Sequence, residues 1–184
     1  MAIVTKLARR DFLRLGAVAG GGLLLGVRLR DARADEGQAG GDRTDDALQP
    51  GAFVRVGTDD RVTIWLARSD MGQGVRTALP MIVADELDAA WEQVTVVQAD
   101  AHPTRYGRMM TVGSTSVRGG AWMPLRQAGA TARAMLVAAA ANRWGVAPES
   151  CRTANGRVTH AASGRSARYG ELAAAATLLP VPGN

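Results

Sequence analysis

The chain has 184 residues and a formal net charge of +5, a length that predicts one domain able to bury a core. Residues 1–34 hold seven basic and two acidic side chains, and the rest of the chain holds fifteen of each. A neutral domain with no basic stripe argues against nucleic acid as a partner. The single cysteine, Cys151, excludes an internal disulfide and a cysteine-ligated iron–sulfur cluster within this chain.

The N-terminal segment combines paired arginines, an apolar run and a small-residue cleavage site. Arg9 and Arg10 open the sequence RRDFLR, which resembles the bacterial twin-arginine export motif. The apolar run over 15–27 is shorter than the roughly 20 residues that an ordinary membrane-spanning helix needs. An A-x-A site predicts cleavage after Ala34. We therefore expect residues 1–34 to be a twin-arginine signal peptide and the mature protein to be periplasmic, with an uncleaved membrane anchor as the alternative.

Strand and helix patterns alternate along the rest of the chain. A polar segment rich in Gly and Asp predicts a flexible linker over residues 35–50, before a domain over residues 51–184. Apolar alternation predicts strands over 53–56, Val62–Leu66, Val94–Gln98 and 157–159, the first two forming a hairpin. Helical spacing predicts a helix over 78–87 with Pro80 in its first turn, one that starts or bends at Pro124 and ends near Trp144, and a short one over Tyr169–Ala176. The alternation indicates an α/β or α+β class.

A glycine-rich loop, Met71-Gly72-Gln73-Gly74, joins the second strand to the first helix. Glycines let a backbone approach a ligand closely and adopt positive φ. The unpaired N–H groups at the start of the following helix favour an anion there, and Gln73 can donate and accept hydrogen bonds at once. These groups suit a phosphate or the edge of a pterin, and a simple tight turn is the alternative.

A second loop, Gly113-Ser114-Thr115-Ser116, precedes the long helical stretch and repeats this arrangement with three hydroxyls. Arg118 follows and is suited to bidentate pairing with a phosphate. The alternative is ordinary N-capping by serine or threonine. Two such loops at one edge of a sheet predict a long anionic ligand, such as a dinucleotide-like cofactor.

Five short motifs together resemble a known family. They are MGQGVRT at 71–77, ADEL at 84–87, GSTSVR at 113–118, RQAGA at 126–130 and YGELA at 169–173. From about residue 51 to 182 the chain resembles the N-terminal region of the isoquinoline 1-oxidoreductase beta-subunit group, within the xanthine dehydrogenase and aldehyde oxidoreductase family of molybdenum hydroxylases. The resemblance implies an α+β fold of α/β sandwich type, a mixed sheet with two packed helices.

The resemblance also implies a cofactor, a reaction and partners. The cofactor would be molybdopterin cytosine dinucleotide with molybdenum, held by Gly72, Gln73, Gly74, Gly113, Ser114, Thr115, Ser116 and Arg118. The reaction would hydroxylate N-heteroaromatics or oxidise aldehydes with oxygen from water. Electrons would leave through a small subunit that carries iron–sulfur clusters, and in some systems through a c-type cytochrome.

The sequence also departs from this family's pattern. The family's large subunits run to several hundred residues, and this chain has no counterpart of the region that carries their catalytic glutamate. No catalytic residue and no protein metal ligand is therefore assigned here, and Glu86 is expected to face solvent. We expect the remainder of a large subunit as a partner. The alternative is a non-catalytic exported α/β remnant or binding module from a truncated gene.

Overall fold

The computed structural model describes residues 22–26, 52–106 and 109–182. Arg9, Arg10, Ala34 and the predicted linker lie outside the described residues, so the signal and its cleavage stay predictions. Within these ranges no helix is long and apolar enough to cross a membrane.

A four-stranded mixed sheet forms the centre of the domain. Its strands are β1 (Gly22–Gly26), β2 (Ala52–Gly57), β3 (Val62–Leu66) and β4 (Val94–Gln98), in that spatial order. The β1–β2 and β2–β3 pairs are antiparallel, whereas β3 and β4 are parallel. The mixed sheet and the hairpin of β2 and β3 confirm the predictions. The outer strand β1 is a surprise, because it lies inside the apolar run assigned to the signal peptide.

The first long helix, α1 (Val75–Leu87), begins directly after Gly74. Pro80 is its sixth residue, so the prediction that this proline lies in the first turn is wrong. The helix starts three residues earlier than the apolar spacing indicates. Proline has no N–H to offer the carbonyl four residues earlier, and Pro80, like its neighbour Leu79, is buried on the core side of the helix.

The second long helix, α4 (Trp122–Trp144), carries Pro124 in its first turn and ends at Gly145, whose φ of 67° suits a left-handed C-cap. Two single-turn helices lie before it, α2 (Pro103–Tyr106) and α3 (Thr115–Arg118). The pair Gly119 and Gly120 separates α3 from α4 because glycine is a poor helix former. The packing of α1 against α4 confirms the two packed helices.

A second, three-stranded sheet follows α4. It consists of β5 (Arg152–Ala154), β6 (Arg157–His160) and β7 (Arg165–Arg168), all antiparallel. The turn between β5 and β6 is Asn155-Gly156, with φ of 48° and 72°, which matches the geometry preferred in two-residue hairpins. The last helix, α5 (Tyr169–Ala176), begins where β7 ends.

The core joins the four-stranded sheet to the helices. Phe53 and Val54 point to opposite faces of β2, and each is 1% exposed, so both faces of that strand are covered. The faces of α1 and α4 that meet contribute Val83, Leu87 and Ala132. Together these elements form an α+β domain, as predicted.

Candidate functional site

The first glycine loop leaves the carboxyl end of β3 and enters α1. Gly72 and Gly74 have φ of 87° and 83°, and a β-carbon placed on either would meet nothing within 4 Å. The left-handed backbone explains why glycine is used. The open space beside both residues also leaves room for another molecule to approach the backbone.

The Gln73 amide is turned into its own loop. Its Oε1 accepts a hydrogen bond from the Met71 N–H at 2.5 Å, and its Nε2 donates to the Ser69 carbonyl at 2.8 Å. The Asp70 carboxylate accepts from the Gly72 N–H at 3.0 Å. The side chain of Gln73 therefore shapes the loop in this structure, and its predicted contact with a cofactor stays a prediction.

The start of α1 suits a negative group. Its N-cap residue, Gly74, makes no side-chain cap, and no acidic residue lies in the first turn. Arg76 is exposed in that turn. Uncapped N–H groups and the positive end of the helix dipole favour an anion at this position.

The second glycine loop has a different relation to its helix from the one predicted. Gly113 and Ser114 have φ of 50° and 62°, and Ser114 is the N-cap of α3 without a side-chain cap hydrogen bond. The loop precedes the long helix but does not open it, because the glycine pair at 119–120 ends α3 after one turn. The long helix α4 instead starts beside Pro124, which is one of the two predicted possibilities. The Ser114 hydroxyl therefore does not play the ordinary N-capping role in α3.

The remaining predicted residues of this loop lie in α3. Thr115 and Arg118 are exposed, with Arg118 in the last turn, and Ser116 lies between them in the helix. Left-handed backbone at a serine is uncommon and is often held at functional sites. The loop therefore presents hydroxyl and guanidinium groups at the surface.

One threonine joins the two loops. The Ser69 N–H donates to the Thr111 Oγ1 at 3.2 Å, and the Thr111 hydroxyl lies 3.5 Å from the Ser69 carbonyl oxygen, to which it donates. The contact spans 42 residues of sequence and brings both glycine loops to one part of the surface. Neither Ser69 nor Thr111 was predicted, because nothing in their local sequence distinguishes them from other loop hydroxyls.

Large apolar side chains are exposed around these loops. Met71, Met110, Val112, Trp122 and Met123 are each between 45% and 70% exposed. Exposed apolar groups of this size favour contact with a ligand or another polypeptide.

Two other arginines are engaged elsewhere. Arg126 forms an ion pair with Glu86, whose side chain is only 16% exposed, so the prediction that Glu86 faces solvent is wrong. Arg133 donates to Asp88 at 3.0 Å, and the Thr153 hydroxyl donates to the same carboxylate. Both pairs join α4 to the end of α1.

The YGELA motif is structural. The Tyr169 hydroxyl donates to the Leu87 carbonyl at 2.7 Å, and burial, followed by the nearby Asp88 charge, raises the pKa of Tyr169 above its usual value. The pKa of Glu171 is lowered, first by the hydrogen bond from the Arg168 backbone N–H and then by the Arg168 side chain. These residues fasten α5 to the rest of the domain.

A family model of the molybdopterin cofactor-binding domain matches residues 34–183. The chain belongs to this family. The match covers both glycine loops and every described element except β1. It confirms the predicted resemblance to the molybdopterin-binding subunits of oxidoreductases.

Three relatives of this chain are named as different oxidoreductases. The chain is 44% identical to the beta subunit of isoquinoline 1-oxidoreductase of Brevundimonas diminuta over 70% of this chain and 17% of that protein. It is 35% identical to a protein of Gluconacetobacter polyoxogenes named membrane-bound aldehyde dehydrogenase [pyrroloquinoline-quinone], over 71% and 16%. Identity to a nicotinate dehydrogenase subunit of Pseudomonas putida is 38%, over 65% and 10%. The chain thus spans at most about a sixth of these relatives.

Two solved structures share the fold. Carbon monoxide dehydrogenase from Oligotropha carboxidovorans superposes with a TM-score of 0.55 at 22% identity, over 66% of this chain and 15% of that one. Quinoline 2-oxidoreductase from Pseudomonas putida 86 superposes with a TM-score of 0.53 at 24% identity, over 90% and 21%. Both support the α+β architecture described above.

Proposed function

We propose that this domain is the cofactor-holding N-terminal part of the large subunit of a molybdenum hydroxylase. The observation that carries the proposal is the contact between Ser69 and Thr111, which joins the residues that precede the two glycine loops within a molybdopterin cofactor-binding domain. The relatives named for isoquinoline, aldehyde and nicotinate oxidation support a reaction on an N-heteroaromatic or an aldehyde.

The described residues fit an anionic pterin. Open space flanks Gly72, Gly74 and Gly113, each with positive φ. The uncapped start of α1 and the guanidinium of Arg118 supply positive potential for phosphate groups. Ser114 and Thr115, both exposed, supply hydroxyls. A pyrophosphate-containing form such as molybdopterin cytosine dinucleotide would use both loops at once.

In this proposal the chain binds and orients, and the reactive centre comes from the cofactor. When bound, the molybdenum group supplies two-electron oxidation: a C–H bond of the substrate becomes C–OH with oxygen from water, releasing two electrons and two protons. The loop backbone would hold the phosphates, and the Gln73 amide would keep the first loop in its shape. The general base belongs to the remainder of the large subunit. A small iron–sulfur subunit would accept the electrons, with a c-type cytochrome as a further acceptor.

The export proposal has an independent basis. Arg9, Arg10 and the A-x-A site at Ala34 are the features of a twin-arginine signal. That route exports folded proteins, which suits a domain that receives its cofactor before export. We propose a periplasmic location on this basis.

The cofactor proposal is tested by producing the full chain in a bacterium that makes molybdopterin. It is produced together with the part of the Brevundimonas diminuta isoquinoline 1-oxidoreductase beta subunit that this chain does not cover. Molybdenum is measured by mass spectrometry, pterin by its fluorescence after oxidation, and cytidine monophosphate after acid hydrolysis of the cofactor. We expect all three in equal amounts. Gln73→Ala should lower them, whereas Gln127→Ala, an exposed glutamine of α4, should not. A folded complex without pterin would instead favour the non-catalytic exported domain.

A further inference from the structure

Each glycine loop has a definite point at which it leaves the framework of the domain. The chain is fixed to the sheet as far as residue 68, because the Gln98 amide donates to the carbonyls of Leu66 at 2.9 Å and Arg68 at 3.4 Å. Ser69 is therefore the first residue beyond that anchor. In the second loop, the Thr115 N–H donates to the Val112 carbonyl at 3.0 Å, so the turn begins directly after Thr111.

The two departure points are joined to each other. Thr111 Oγ1 accepts from the Ser69 N–H at 3.2 Å and donates to the Ser69 carbonyl at 3.5 Å. The same carbonyl accepts from the Gln73 Nε2 at 2.8 Å. A chain of hydrogen bonds thus runs from Thr111 through the Ser69 backbone to Gln73, whose amide shapes the glycine loop.

We propose that Thr111 is a positioning residue that sets the spacing of the two glycine loops, so that both face one ligand. The inference rests on the proposed function for the identity of that ligand. Thr111 acts through Ser69 and Gln73. Ser69 is exposed and Thr111 half-buried, so their contact adds little to the core, and its effect is concentrated in the loops.

Three variants of the full chain test this role. Thr111→Val keeps the branched shape and removes the hydroxyl, whereas Thr111→Ser keeps the hydroxyl and restores the contact. Thr95→Val makes the same chemical change in β4, outside the loops. Hydrogen exchange of the backbone amides over 69–74 is measured without cofactor, together with the thermal midpoint.

We expect Thr111→Val to speed exchange over 69–74 by roughly threefold to tenfold, the factor that corresponds to one net hydrogen bond. Thr111→Ser and Thr95→Val should match the parent chain, and the thermal midpoint of all three should stay close to it. Equal exchange in Thr111→Val and the parent would overturn the proposal. So would a Thr111→Ser variant that exchanges as fast as Thr111→Val.

The rate of pterin loss gives a second readout, measured in the complex with the rest of the Brevundimonas diminuta beta subunit. Thr111→Val should lose pterin several-fold faster on dilution than the parent and Thr111→Ser. If Thr111→Val exchanged faster yet kept its pterin as long as the parent, the positioning role would be overturned. A parent complex that never binds pterin would overturn the proposed function, while the exchange rates would still decide whether Thr111 couples the loops.

Discussion

Gly129 of α4 lies directly against Val83 of α1: a β-carbon on the glycine would be 2.6 Å from the valine carbonyl oxygen. The same β-carbon would lie 2.8 Å from the Glu86 β-carbon and 3.2 Å from the Leu87 nitrogen. Two of these three neighbours are backbone atoms, which cannot move without shifting the helix. The ADEL and RQAGA motifs therefore meet at one close helix crossing.

Gly129→Ala should destabilise the domain by about 1–3 kcal/mol, the usual range for overpacking. Alanine favours a helix over glycine by about 1 kcal/mol, so the sign of the change separates crowding from propensity. Ala134→Gly, at an exposed site of the same helix, gives the propensity difference by itself. Unfolding by urea measures both variants, and a stabilised Gly129→Ala chain would show that the helices are not in close contact.

Asp60 holds the start of α5 against the β2–β3 turn. Its buried carboxylate accepts from the Gly170 N–H at 2.7 Å and from Arg168 at 2.7 Å. Asp60→Ala should cost about 2–3 kcal/mol, because a buried N–H loses its acceptor. Asp60→Asn should cost clearly less, since asparagine keeps an acceptor and tolerates the φ of 66°. Equal losses in the two variants, measured by urea unfolding, would exclude the Gly170 contact as the cause.

Glu171 should make stability depend on pH in the acid range. Hydrogen bonds from the Arg168 backbone and side chain lower its pKa from the ordinary 4.5. A lowered pKa in the folded state stabilises the fold above the ordinary pKa, and the effect disappears as pH falls through the lowered value. The stability difference between the parent and Glu171→Gln should therefore be present at pH 7 and shrink below about pH 4.5.

Thermal midpoints between pH 7 and pH 3 measure this difference. Glu149→Gln, which removes an exposed carboxylate elsewhere, is the matched control. A difference between the parent and Glu171→Gln that stays constant over the whole range would contradict the titration of Glu171.

Ser114 keeps a left-handed backbone that glycine would adopt without strain. Ser114→Gly should stabilise the domain by about 0.5–1 kcal/mol, whereas Ser114→Ala should not. Both variants lose the hydroxyl, so both should lower bound pterin in the complex if that hydroxyl contacts the cofactor. Unchanged pterin in both would remove Ser114 from the site and leave only the conformational effect.

Patterns confined to one element predict this fold well. The alternation in β2, β3 and β4 and the spacing in α5 carry their own signals, and the structure confirms them. Strands β5 and β7 were not predicted because each has only three or four residues and little apolar alternation. The Asn155-Gly156 turn is the local signal that would have revealed the hairpin of β5 and β6.

Predictions that depend on distant contacts are less complete. The sequence places Gln73 and Ser114 in loops with the right chemistry, but it does not show that the Gln73 amide bonds to Ser69. Glu86 was assigned to solvent because a helical pattern does not reveal which arginine will approach from another helix. The link between Ser69 and Thr111 depends on a fold that brings residues 42 positions apart into contact.

Because β1 pairs with β2, removal of residues 1–34 would expose the edge of β2. If the signal is removed after Ala34, the backbone groups of β2 that face Leu23, Leu24 and Leu25 lose their partners. An open strand edge readily pairs with another chain, so processed domain held at high concentration should associate through β2 unless another polypeptide takes that place. The order in which cleavage and assembly occur would then determine how much of the protein stays free of such association.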